Sequence, residues 1–367
     1  MESNEITKPS NGNIDFSNIV RDAYEKMGNV NIVIAGKTGV GKSTLINAVF
    51  GENLAKTGVG RPVSQWTKQY TSDRVRGLTL FDTKGFELGD YQTILSDLKN
   101  LISNRKTIDP KEHIHICWYC INDCGKRYEK EELDFIQELQ SEIPVIVVFT
   151  QTISDDEFYK KFCQDNYNTI HNSVQVLAER YVVRSGAIEP FGIDDLVKKT
   201  SELIPECSRR AFAAAQKVDM ELKCAEVKKI IAVAATAAAA AGASPIPFSD
   251  AFILAPIQIG MLAKISSTMG LELGEGFLST IVASAAGVTL ATAAGKTIVS
   301  NLLKLIPGAG SIIGGAISAA MAGTLTTTMG WAYYKAIVAI FDKGIESQNV
   351  NPDELAKLFR QKLSEER

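Results

Sequence analysis

The sequence predicts an α/β domain, with a mainly parallel sheet and helices on both faces, followed by an all-α domain rich in Ala and Gly. Three observations predict it. Apolar runs of strand length alternate with helical stretches through the first half of the chain. A glycine-rich turn, Gly36–Ser43, sits between the first such strand and the next helix. Charge then almost disappears: Lys229–Phe341 holds eight charged residues in 113, against 39 Lys+Arg and 42 Asp+Glu in all 367.

The elements follow in order. Residues 1–13 are polar, and Ile14–Met27 is expected to form a short amphipathic helix stopped by Gly28. Apolar runs at Val30–Ala35, Leu78–Phe81, His113–Ile121, Val145–Phe149 and Tyr181–Val183 suit buried strands. Helical stretches are expected at Ser43–Phe50, Tyr91–Ile102, Lys130–Gln140, Asp156–Glu179 and Gly192–Ile204. A domain boundary is expected near Pro205, with a charged linker helix over Ser208–Ile230. In the charge-poor region, Ile230–Ser249, Phe277–Gly295 and Leu305–Tyr334 carry no charge. A faint repeat at an offset of 60 relates Ile246-Pro247, Met261 and Thr268-Met269-Gly270 to Ile306-Pro307, Met321 and Thr328-Met329-Gly330. The tail begins with a cap and helix-start signal, Asn351-Pro352-Asp353, and then places Leu355, Leu358, Phe359 and Leu363 on one face. The expected domains are residues 1–28, 29–206, 207–228, 229–345 and 346–367.

A net charge of −3 argues against nucleic-acid binding driven by bulk charge. Apolar content of 45% excludes general disorder, and six scattered cysteines do not make a disulfide scaffold. The first twenty residues lack the basic and apolar parts of a secretory signal, so a cytoplasmic N-terminal half is expected.

The strongest motif is Gly36-Lys37-Thr38-Gly39-Val40-Gly41-Lys42-Ser43, with Thr44 following, placed after a strand and before a helix. The spacing is that of a phosphate-binding loop. Its glycines let successive N–H groups turn inward toward phosphate oxygens, and the next helix adds its positive end. Lys42 is the candidate for the β- and γ-phosphates, and Ser43 the candidate Mg²⁺ ligand. Asp82-Thr83-Lys84-Gly85 ends an apolar strand about 40 residues later. Asp82 is expected to hold Mg²⁺ through water, and the Gly85 N–H to meet the γ-phosphate.

GKTGVGKS together with DTKG resembles the translation-factor-related small GTPases, in the branch of Era, septins and immunity-related GTPases. That resemblance implies a Ras-like P-loop fold over about residues 29–206, binding of GTP and GDP, and Mg²⁺-dependent hydrolysis. It also implies a switch loop in GVGRPVSQWTKQY whose hydroxyl closes on Mg²⁺ and the γ-phosphate. Ser64 takes that position, with Thr67 as the alternative. Lys42, Ser64 and Gly85 are thus the expected catalytic set, and Ser43, Ser64 and Asp82 the metal set. The guanine element departs from the family: Thr150-Gln151-Thr152-Ile153 has no Asp in register, and Asp155 and Asp156 come late. Thr150, Gln151 and Thr152 are still expected at the base. VRSGA resembles the family's last element, which nominates the backbone of Ser185 and Gly186.

The residue after Gly85 is Phe86, which cannot orient water, so slow hydrolysis is expected, with a catalytic group from a partner or from a second copy meeting the domain in a homodimer or oligomer. Arg127 is either a finger toward the phosphates or a solvated arginine before an acidic helix. Gly39 stands where some relatives carry a potassium-binding Asn, which argues against potassium activation. His113, His115, Cys117, Cys120 and Cys124 invite a zinc reading, but a central strand buried on both faces favours the core.

The segments ASPIPFSDAFILAPIQIGMLAKI and LIPGAGSIIGGAISAAMAG resemble a bacterial domain of unknown function found behind Era-like GTPase domains. Physically, Leu305–Tyr334 is long enough for a bilayer crossing. Small residues form ridges at Gly310, Gly314, Ser318, Ala322 and at Ser311, Gly315, Ala319, Gly323. Association with or insertion into a membrane through residues 229–345 is expected, with a soluble bundle of closely packed small-residue helices as the alternative. The competing function is a nucleotide-gated scaffold with negligible turnover.

Overall fold

The computed structural model describes residues 15–51, 59–62, 64–71, 76–85, 91–153, 156–184, 186–242, 250–271, 273, 276–285 and 318–366. The chain forms two units, Met27–Lys223 and Met1–Lys26 with Cys224–Arg367.

The first unit is built on strand β1 (Val30–Gly36), which is buried along its whole length. Such a strand must be covered on both faces. It lies in a seven-stranded sheet, and the chain continues through α2 (Lys42–Phe50), β2 (Val59–Pro62), β3 (Thr67–Thr71), β4 (Leu78–Thr83), α3 (Tyr91–Lys106), β5 (Ile116–Asn122), α4 (Lys130–Gln140), β6 (Val145–Thr150), α5 (Glu157–Asp165) and β7 (Ser173–Gln175). The strand order is β2-β3-β4-β1-β5-β6-β7, parallel except that β3 runs antiparallel to both β2 and β4.

Alternation along β5 divides the core. Cys117, Tyr119 and Ile121 join Phe81, Tyr91, Leu98, Phe135 and Phe149 in one apolar cluster. Trp118 stacks instead on Phe50 at 5.7 Å, which meets Phe212 edge-on at 6.3 Å. The Trp118 indole N–H donates to Thr200 Oγ1 at 3.0 Å. These contacts bring in α6 (Ile193–Leu203) and α7 (Glu206–Ala215).

Several sequence expectations need correction here. Tyr181–Val183 is not a strand of the main sheet; it is β8, paired with β9 (Gly186–Ile188) in a separate exposed hairpin. The last sheet strand is β7, inside the stretch expected to be helical over Asp156–Glu179. That helix stops at Asp165 because Asn166 caps it, donating its side-chain amide to Phe162 O at 2.9 Å. Strands β2 and β3 lie in a polar segment without an apolar run. The strand expected from His113 begins at Ile116, after a 3₁₀ turn at Pro110–Glu112. The linker helix is two helices, α7 and α8 (Met220–Gly242), broken where the Gln216 side chain accepts from the N–H groups of Val218 and Asp219. Helix α7 buries Ala211, Phe212 and Ala215 within the first unit, so it is part of that domain's core.

His115 is buried at the edge of this core. Its Nδ1 accepts from the Asn31 N–H at 2.9 Å, and its Nε2 lies 3.1 Å from Ser208 Oγ. Cys117 and Cys120 are fully buried in β5, and burial pushes the Cys120 thiol up to about 12.

The second unit is helical. Helix α1 (Phe16–Glu25), N-capped by Asp15, packs on α9 (Asp250–Thr268), and the Tyr24 hydroxyl donates to Leu271 O at 3.2 Å. Helix α10 (Phe277–Ala285) and α11 (Ala319–Phe341) complete the core with α12 (Pro352–Glu365). The Asn351 cap accepts from the N–H groups of Asp353 and Glu354, as the sequence predicts, and Leu355, Phe359 and Leu363 are buried. Phe359 meets Tyr333 edge-on at 5.2 Å, and the Tyr333 hydroxyl lies 2.7 Å from Ser266 Oγ.

Small residues serve close packing in this unit. A Cβ on Gly330 would lie 2.6 Å from Ile231 and 3.0 Å from Met261 Sδ, and one on Gly323 would lie 3.4 Å from Ala235 O. The ridge residues Gly310, Ser311, Gly314 and Gly315 fall outside the described residues, as do Ile246-Pro247 and Ile306-Pro307. The offset-60 repeat has no structural counterpart at its glycines: Gly270, at φ 80°, ends α9, whereas Gly330 lies inside α11. Among the described residues no helix is long and apolar enough to cross a membrane.

Candidate functional site

Parallel strands β4, β1, β5 and β6 end on one edge of the sheet, where ligands of open α/β sheets bind. The loop after β1 occupies that edge. Gly36, Gly39 and Gly41 have φ of 139°, 77° and 91°. A Cβ on Gly36 would lie 2.4 Å from Cys120 O, so the loop can turn there only with glycine. Gly41 is the N-cap of α2, and no side chain caps the helix start. Its first N–H groups are therefore left for an anion.

Lys42, in the first turn of α2, folds back over this loop. Its ammonium donates to Gly36 O at 2.9 Å and Lys37 O at 3.0 Å. Burial lowers its pKa, with Asp82 opposing the shift. Asp82 sits at the end of β4, in register with Ile34 of β1 and Lys68 of β3. Burial raises its pKa, opposed by Lys42 and Lys68. Its Oδ1 is buried with no hydrogen-bond partner among the described residues. An unsatisfied carboxylate oxygen, together with the exposed hydroxyl of Ser43 in the first turn of α2, is the hard-oxygen chemistry that Mg²⁺ takes, so these residues fit the ion.

Gly85 closes the loop from the other side. A Cβ there would lie 2.3 Å from Thr38 Oγ1 and 2.6 Å from Thr38 Cα, so the two segments touch only because residue 85 is glycine. Thr38 and Gly39 are exposed, Thr44 is half-buried and Val40 is buried.

The loop after β6 rests on the same loop. Thr150 Oγ1 lies 2.5 Å from Val40 O and 3.1 Å from Ile121 O, its proton shared between the two carbonyls. Gln151, at φ 56°, donates from Nε2 to Gly39 O at 3.2 Å, and its Oε1 accepts from Asn122 Nδ2 at 3.3 Å. Thr152 is buried, and its N–H donates to Val176 O at 3.4 Å.

Not every expected site residue joins this group. Ser64 Oγ donates to Asp97 Oδ2 of α3 at 2.6 Å. Lys37 pairs with Glu129 and Glu132 at 3.1 Å each. Ser185 and Phe86 lie outside the described residues. Gly186 opens β9 of the exposed hairpin and does not follow the last strand of the sheet. The segment that does follow it is Val176–Ala178, held beside Thr152. Arg127 is exposed between β5 and α4. Sequence reasoning missed Asp97, Glu129 and Glu132. The capping-box pattern of Glu129 and Glu132 around the start of α4 was the one local signal for the latter pair.

Comparison with known families points to the same loop. Residues 31–151 match the 50S ribosome-binding GTPase family, and residues 207–365 match a domain of unknown function. The first unit carries a P-loop GTP-binding domain. Magnetosome membrane protein 22 of Magnetospirillum gryphiswaldense is 28% identical over 127 residues, covering 35% of this chain and 63% of that protein. Human septin-12 is 27% identical over 177 residues, covering 39% of this chain and 48% of that protein. Rat septin-9 is 27% identical, and the chain covers 30% of its length. A crystal structure of a probable GTP-binding protein engB is 19% identical, with 48% of this chain and 98% of that chain covered at a TM-score of 0.32. The chain thus spans less than two thirds of each of these curated relatives. The GTP-binding domain is followed by the helical unit described above.

Proposed function

We propose that the protein binds GTP and GDP with Mg²⁺, hydrolyses GTP slowly, and uses nucleotide state to switch its helical half or its assembly. The observation that carries this reading is the convergence of Lys42, Asp82 and Gly85 on the loop Gly36–Ser43. Lys42 would hold the β- and γ-phosphate oxygens, and the N–H groups of the loop and of α2 would hold the rest. Mg²⁺, when bound, neutralises charge on the phosphates; Ser43, Ser64 and Asp82 would hold it. The Gly85 N–H would meet the γ-phosphate. Thr150, Gln151, Thr152 and the segments carrying Ser185 and Gly186 would border the base.

Phe86 supports slow turnover and favours a second reading, a nucleotide-gated scaffold with negligible hydrolysis. Single-turnover hydrolysis of GTP at rising protein concentration separates the two. A rate per molecule that rises with concentration supports an enzyme completed by a second copy. No product above the uncatalysed rate supports the scaffold. Competition of ATP against labelled GDP tests the base, and equal displacement by ATP and GTP would overturn guanine selection.

A cytoplasmic GTP-binding domain on a membrane-associated helical half is also proposed. It rests on the uncharged run Leu305–Tyr334 and on the magnetosome membrane protein among the relatives. Flotation with liposomes in the GDP and GTP-analogue states tests it, and absence from the lipid fraction in both would overturn it.

A further inference from the structure

Ser64 has no hydrogen-bonding capacity left for a metal ion. A hydroxyl has one proton to donate and two lone pairs. The proton goes to Asp97 Oδ2 at 2.6 Å. The lone pairs accept the N–H groups of Trp66 at 3.1 Å and Thr67 at 3.0 Å. The alternative switch hydroxyl is held by the same acid, because Thr67 Oγ1 donates to Asp97 Oδ2 at 3.2 Å.

Asp97 lies on α3, the helix that follows the Asp82–Gly85 segment. That segment is tied to the same turn: the Lys84 N–H donates to Trp66 O at 2.7 Å, and its ammonium lies 5.3 Å from the Trp66 ring centroid. One carboxylate thus collects both hydroxyls that could sense the γ-phosphate.

We infer that Asp97 is a positioning residue that sets the preference between GTP and GDP by holding Ser64 in a conformation that cannot ligate Mg²⁺. This rests on the proposed role of Ser64 in the GTP state. Binding GTP then requires the Ser64–Asp97 bond to break, whereas binding GDP, which has no γ-phosphate to draw the turn in, leaves it intact. The acid acts against the GTP state through Ser64 and touches neither nucleotide nor metal.

The experiment uses the full chain and titrates GDP and GTPγS, each with Mg²⁺, against wild type, Asp97→Asn, Asp97→Ala, Ser64→Ala and the Ser64→Ala/Asp97→Ala pair. Releasing a hydrogen bond to a charged acceptor should tighten GTPγS about tenfold in Asp97→Ala and leave GDP within about twofold. Asp97→Asn, which keeps the size and can still accept, should fall between. The gain should vanish in the Ser64→Ala background. A purely structural role for Asp97 would lower both affinities together, and that result overturns the inference, as does an unchanged GTPγS affinity in a folded Asp97→Ala. Failure of wild type to bind either nucleotide would instead overturn the proposed function itself.

Discussion

Gly85→Ala tests the site through one added methyl group. The new Cβ would stand 2.6 Å from Thr38 Cα and 2.7 Å from Thr38 N. Thr38 Oγ1, at 2.3 Å, can rotate away, but the backbone atoms cannot. Ordinary contact starts at 3.4 Å, so the Asp82–Gly85 segment and the phosphate loop must separate by about 0.8 Å. Overpacking of this kind costs about 1–3 kcal/mol. Its effect on binding depends on which state needs the contact. A γ-phosphate should draw Gly85 onto the loop, whereas GDP leaves the segment free to retreat. GTPγS affinity should therefore fall about tenfold or more, and GDP affinity less than about threefold, at about 1.4 kcal/mol per tenfold. Titrations with both nucleotides in excess Mg²⁺ read this directly. An equal fall for both would show that the strain sits in the loop itself, and no change would show that the contact is not part of the bound state.

Three further outcomes are expected. Lys42→Ala should remove measurable binding of both nucleotides in equilibrium dialysis while leaving the circular dichroism unchanged, since the ammonium contacts only loop carbonyls. Stability should fall with acid through His115: its folded pKa is lowered to about 4 by burial, so below about 6.5 the unfolded chain takes up a proton that the fold excludes. The stability is present above the unfolded value, is lost as pH falls from about 6.5 to 4, and totals about 3 kcal/mol, visible as a pH slope in urea titrations that His115→Gln flattens. Phe359→Ala, which empties a fully buried site against Tyr333, should cost about 3–5 kcal/mol and lower the denaturation midpoint of the helical unit.

The phosphate loop was legible because its chemistry restricts backbone angles as well as side chains. Glycines at 36, 39 and 41 before Lys42 leave little else for a strand-to-helix turn to do, and the structure gives all three positive φ. Asp82 was legible for a similar reason, as an acid ending an apolar strand. The surroundings of Ser64 were not, because its partner Asp97 is 33 residues away on a helix face that periodicity describes only as polar. The last sheet strand was missed because Ser173–Gln175 is three residues long with one buried side chain. The exposed Tyr181-Val182-Val183 run carried a stronger apolar signal. In the helical unit the pattern of α12 was readable from its contrast of apolar and charged faces. Helices α9 and α11 offer no such contrast, since a segment with eight charges in 113 residues has no polar face to mark its periodicity.

The electrostatics of the loop suit the proposed nucleotide and metal. Lys42 and Asp82 attract one another, yet burial shifts each toward its neutral form, the lysine down and the acid up. Mutual attraction therefore does not offset the desolvation of the pair. Neither charge forms a direct ion pair among the described residues: the ammonium is turned to two carbonyls, and one carboxylate oxygen has no hydrogen-bond partner there. Phosphate oxygens would supply what Lys42 lacks, and a hydrated divalent cation what Asp82 lacks. Because Asp82 must be ionised to hold that cation, its raised pKa means that Mg²⁺-dependent binding should weaken with falling pH sooner than an ordinary aspartate would allow. The same site without nucleotide retains an uncompensated burial cost, which is why nucleotide and metal together should stabilise this domain more than either does alone.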